Sequence, residues 1–89
     1  MASGVIKYQG FKQGSIRKDN ITVDTGGFVQ IDITNDIPAG QNFICLIGFD
    51  VWNYANKLIC TSTGGSSYRV CNVDTMSTTS TIVARYLYQ

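Results

Sequence analysis

The sequence predicts an all-β fold, a small antiparallel β-sandwich of jelly-roll or Greek-key type that assembles with other copies of itself. Three observations carry this. Ile, Val and Thr supply 26 of the 89 residues, whereas Leu occurs three times and Glu and His are absent. β-Branched side chains pack well on strands, and the best helix formers are scarce. Short alternating runs are separated by Gly-rich turn signals, with no helical period of any length. Finally, the segments 42–52 and 81–89 are apolar on both faces, more than one small chain can cover.

Each element follows from local chemistry. "GVIKYQ" (4–9) reads as a first strand, and "GFKQGSIRKDN" (10–20) as a loop or an irregular edge. "ITVDT" (21–25) alternates cleanly. Gly26-Gly27 then suits a two-residue hairpin turn, where positive φ is needed. In "FVQIDITN" (28–35), Val29, Ile31 and Ile33 point inward, and Gln30, Asp32 and Thr34 outward. "IPAG" (37–40) places Pro38 and Gly40 as in a type I turn with Pro at its second position.

The long strand 42–52 is expected in the middle of its sheet, with Phe43, Cys45, Ile47, Phe49 and Val51 on one face. "NYAN" (53–56) is a polar break. "KLICTS" (57–62) and "SYRVCNV" (67–73) flank a second Gly-Gly hairpin at 63–66. "DTMSTTS" (74–80) reads as a loop or weak edge and "TIVARYLYQ" as the closing strand. In that strand Ile82, Ala84, Tyr86 and Tyr88 share one face, and Val83 and Leu87 the other. The domain reading is a lead-in over 1–20, exchanged or interface-forming, and a sandwich over 21–89.

So short a chain buries only about 60–65% of its unfolded surface. Closed symmetric oligomers are the common way to hide what remains. Cys45, Cys60 and Cys71 are odd in number and sit in apolar strand patterns, so they read as small hydrophobes folded in a reducing compartment. No apolar run nears the ~20 residues that span a bilayer, and no apolar signal segment opens the chain.

Net charge is +1, which favours neither nucleic acid nor a membrane surface. The charges are segregated. Lys7, Lys12, Arg17 and Lys18 precede every acid, and Asp19, Asp24, Asp32, Asp36 and Asp50 follow with no further base until Lys57. This reads as a solvated surface, or as a basic lead-in lying against an acidic surface.

Without His, the usual Ser-His-Asp and Cys-His constellations are impossible, and the cysteines lack zinc-ribbon spacing. Neither a metal nor another cofactor is expected. Six Asp and no Glu leave Asp50 and Asp74 as the only carboxylate pair worth weighing for glycoside hydrolysis, and strand-end Asp more often serves turns. The richest polar-aromatic patch is "DVWNYAN", with Asp50, Trp52, Asn53, Tyr54 and Asn56. Tyr68 and Arg69 follow the second hairpin. Aromatic faces beside amides and carboxylates suit sugars. The alternative is that Trp52 and Tyr54 pack in the core or between subunits.

The order of "IPAG", a long apolar strand ending "IGFDVW", a Ser/Thr-rich stretch and a closing strand with Val83, Arg85, Leu87 and Tyr88 resembles the C-terminal head or knob domains of tailed-phage and prophage fibre proteins. The resemblance runs from about Ile21 to Gln89, and the fibre shaft of that family is missing. It implies a non-enzymatic receptor-binding head, a homotrimer at a virion tail or fibre tip, assembled in bacterial cytoplasm. Its partners would be host-surface glycans or another receptor and other virion proteins. A structural virion protein without ligand, such as a decoration or fibre-assembly module, is the second reading.

Overall fold

The computed structural model describes residues 10–89. Six strands form two antiparallel sheets: β1 (Lys12–Val23), β2 (Phe28–Asp32), β3 (Phe43–Val51), β4 (Leu58–Gly64), β5 (Ser67–Asn72) and β6 (Thr78–Tyr88), with one 3₁₀ turn at Thr34–Asp36. One sheet has the order β1-β6-β3 and the other β2-β5-β4. The sandwich expected from the sequence is therefore what the chain builds. Only β4 and β5 form a hairpin of neighbours in sequence. Gly64 and Gly65 both take positive φ in its turn, as foreseen.

Between the sheets lie Val23, Ile33, Leu58, Tyr68, Val70, Ile82, Ala84 and Tyr86, all buried. Val29 and Ile31 turn inward ahead of buried Ile33, as alternation required. In β6 the buried Ile82, Ala84 and Tyr86 alternate with half-buried Val83 and Leu87. The Tyr86 ring lies across β1 at Gly14, where a Cβ would come within 2.5 Å of it. Its hydroxyl is bonded to Gln41 Oε1 at 2.6 Å.

β3 corrects two expectations. It is an edge of its sheet, and β6 holds the middle. Its faces also differ from strict alternation, because its register against β6 slips between Phe43 and Cys45 and again between Leu46 and Gly48. Ile44 and Ile47 are the extra residues. Each bulge resets the phase by one residue. Phe43, Leu46, Phe49 and Val51 consequently pack inward, while Cys45 and Ile47 are exposed. The double-sided apolar pattern of 42–52 is thus partly the signature of a twice-bulged edge.

Of the other expectations, one holds in part and three are revised. Residues 12–20 take the irregular-edge alternative, but they run on into 21–23 as one strand, irregular at the register shift between Lys18 and Ile21, where Asn20 has φ 57. Gly26-Gly27 closes no hairpin. The turn, tied by Gly27 N–H to Asp24 O at 2.9 Å, carries the chain from one sheet to the other. The turn after Ile37 is one residue later than a type I turn on Pro38 would be. Gln41 N–H reaches Pro38 O at 3.2 Å and Gly40 takes φ 89 at the third position, the type II requirement. Residues 78–80, read as loop or weak edge, begin the central strand. The expected strand over 4–9 lies outside the described residues.

Lys18 crosses between the sheets to Asp36 at 2.6 Å and Arg17 meets Asp19 at 2.8 Å, so part of the basic lead-in does lie against acids. Cys45, Cys60 and Cys71 are free thiols within β3, β4 and β5. Burial pushes the Cys60 thiol up to about 11, with the nearby Cys71 adding to it. Among the described residues no group of His, Cys and Asp is placed to hold a metal ion.

Candidate functional site

Beyond Val51 the chain stays tied to β6 for two more residues. Trp52 N–H donates to Thr81 O at 3.0 Å, and Asn53 N–H to the buried Ser80 Oγ at 2.9 Å. Continued alternation turns the Trp52 ring onto the outer face of the β1-β6-β3 sheet. There the Arg17 guanidinium lies over it at 4.2 Å from the ring centre, and the ring stays 55% exposed. Arg17 also donates to Asp19, which accepts from Thr81 Oγ1 at 2.9 Å. These bonds, Arg17 first and Thr81 second, hold the Asp19 carboxyl below the usual range. Asp50 lies on the same face, 3.4 Å from Arg85 Nε. Gly48 leaves Arg85 its space, since a Cβ there would fall 2.6 Å from Nη2.

Tyr54 then reverses the chain. Its carbonyl accepts from Lys57 N–H at 2.9 Å and Leu58 N–H at 3.1 Å, and its own φ is 61. That left-handed conformation favours glycine or asparagine and is uncommon for a bulky side chain. The ring is 58% exposed, so core packing does not explain it. It walls an open cleft of about 300 Å³ with Asp74, Met76, Ser77, Thr78 and Thr79.

The other wall is set by hydrogen bonding. Asp74 N–H is held by Asn72 Oδ1, and Asp74 Oδ1 accepts from Thr75 N–H at 2.7 Å, with Lys57 Nζ 3.8 Å away. Thr79 Oγ1 meets Thr22 Oγ1 at 2.7 Å. The lining thus offers an aromatic face, a thioether, one carboxylate and several hydroxyls. It can stack and hydrogen-bond a polyol. Of the two carboxyl groups that glycoside hydrolysis uses, it supplies Asp74 alone; Asp50 lies on the sheet face.

The structure divides the seven sequence-derived site residues. Asp50, Trp52, Asn53, Tyr54 and Asn56 stay together at the end of β3 and the turn after it. Tyr68 is fully buried between the sheets, its ring centre 4.8 Å from that of Phe49, so it presents nothing to a ligand. Arg69 is on the outer face of the other sheet, its guanidinium 4.2 Å over the Phe28 ring. Arg17 and the wall at 74–79 were not foreseen. The sequence offers Asp74 only as half of a carboxylate pair, and β6 pairing brings the rest of the wall to Tyr54. Comparison with protein-family models, curated proteins and solved structures returns no match.

Proposed function

We propose that this chain is a non-enzymatic binding head that takes a neutral glycan in the cleft beside Tyr54, with Trp52 as a neighbouring stacking surface. The observation that carries the reading is Tyr54 itself, a large exposed aromatic kept at φ 61. Backbone strain of this kind persists where the surrounding structure over-determines it, and it gathers at ligand clamps. A ring at the mouth of a hydroxyl- and carboxylate-lined cleft gives that strain a use. Sugars place a C–H face on the ring and hydroxyls on Asp74, Ser77 and Thr79. The resemblance to phage and prophage fibre heads supports host-surface polysaccharide as the ligand class and the virion tip as the setting. The reading is tested on a glycan array, followed by chemical-shift mapping with any glycan retained. Amide shifts confined to 52–56 and 74–79 are expected. An array without a retained glycan, or shifts centred elsewhere, would contradict it.

A structural virion protein is the second reading, and one observation favours it. Phe11, Gln13, Ile47 and Leu87 line a groove of mixed polar and apolar surface at the opposite end of the same sheet face, where the exposed Phe11 and Ile47 suit assembly better than sugar. On that reading an unliganded array is the expected outcome and virion neighbours cover the groove.

A further inference from the structure

Of the four sheet edges, three carry devices that discourage pairing with another strand. β1 turns Lys18 inward and is bulged at Asp19 and Asn20. β3 has two bulges and Asp50. β2 is only five residues long and ends on Asp32. Charges, bulges and shortness are the usual means of blunting an edge. β4, Leu58–Gly64, is the least protected: its seven residues are uncharged and lack proline, it is longer than β2, and its register against β5 has a single irregularity, between Ser62 and Gly64 beside the hairpin turn. Among the described residues no strand lies beyond it, so alternate backbone N–H and C=O groups face outward.

We infer that β4 pairs antiparallel with the β4 of a second copy about a two-fold axis, joining two β2-β5-β4 sheets into one six-stranded sheet. Charge selects this occupant. β4 against itself brings no like charges together, whereas β1 paired with itself about its middle would bring the adjacent bases Arg17 and Lys18 of the two copies together. The pairing closes, because each copy uses its edge once. It also covers the open flank of the sandwich. The β1–β2 flank is clasped by Lys18 and Asp36, while no ion pair among the described residues spans β3 and β4. On that side Leu46, Phe49, Val51 and Cys60 are only half-buried. On the outer face, the row Phe28, Cys71 and Ile59 runs up to the β4 edge, where the strand of the second copy covers the exposed Ile59.

The test is molar mass by sedimentation at tens of micromolar, for the full chain and for Thr61→Glu. Thr61 is exposed opposite Arg69, so a glutamate there gains a partner within its own chain while setting two carboxylates near the two-fold. Two copies are expected for the wild type, with dimer affinity at least about tenfold weaker in the variant. A single-copy or three-copy mass, or a dimer indifferent to Thr61→Glu, overturns the inference. Amide hydrogen exchange of the wild type at two concentrations gives an answer that needs no variant. Slower exchange in β4 at the higher concentration is expected, and β4 amides indifferent to dilution overturn it. Three copies would fit the resemblance instead, and glycan binding at Tyr54 is read independently of either mass.

Discussion

The Asn72 side chain donates to the Val23 carbonyl at 2.8 Å, joining the end of β5 to the end of β1 across the sandwich. It also donates to Met76 O at 2.9 Å, and its Oδ1 accepts from Asp74 N–H at 2.8 Å. One buried amide thus fastens both sheets and one wall of the cleft, with both of its donor protons used. Asn72→Ala leaves these backbone groups without partners and is expected to cost about 2–3 kcal/mol. For a domain this small, that lowers the melting temperature by about 10 °C or more, as thermal unfolding followed by circular dichroism would read.

Gly14 is a packing glycine. Its position opposite Tyr86 leaves no room for a side chain, and the Tyr86 hydroxyl is anchored on Gln41. Gly14→Ala should destabilise the fold by about 1–3 kcal/mol through overpacking, measured by urea unfolding. Gly26→Ala, where a Cβ would meet nothing within 4 Å but φ is 69, tests backbone strain alone.

Alkaline pH should weaken the fold through Tyr68 and Cys60. The Tyr68 hydroxyl is buried without a hydrogen-bond partner among the described residues. Desolvation, with smaller contributions from Cys60 and Asp36, pushes it up to about 12. An acid whose folded value is raised adds stability below its unfolded value, and that stability is lost as pH climbs to the folded one. The window for Tyr68 therefore runs from about 10, the unfolded tyrosine value, to about 12. Cys60 opens its own loss earlier and completes it at about 11. Tyr68→Phe should remove the later part of the loss. It should also raise stability at neutral pH by about 1 kcal/mol, since an unpaired hydroxyl leaves the core. Unfolding curves across this range check both signs.

Much of the architecture was legible because alternation reports burial directly. Val29, Ile31 and Ile33, and Ile82, Ala84 and Tyr86, face inward as their spacing required. Bulges and strand order are not written in spacing. Ile44 and Ile47 look like core positions until β6 pairs around them, and a Gly-Gly turn is the same dipeptide whether it closes a hairpin or, as at Gly26, crosses between sheets. The candidate site was half legible for the same reason. Trp52 and Tyr54 are conspicuous beside Asp50, but Arg17 reaches Trp52, and Thr79 reaches Tyr54, only because β6 lies between β1 and β3.

The most direct measurement pairs the unfolding free energy of Tyr54→Gly with its retention on the glycan that the wild type binds. Glycine adopts φ 61 without steric cost. Strain relief, less the added entropy of the unfolded chain, should make the variant more stable by about 0.5–1 kcal/mol. It should also lose glycan retention. A variant that is less stable, or one that binds as the wild type does, would contradict the claim that Tyr54 is held there for a ligand.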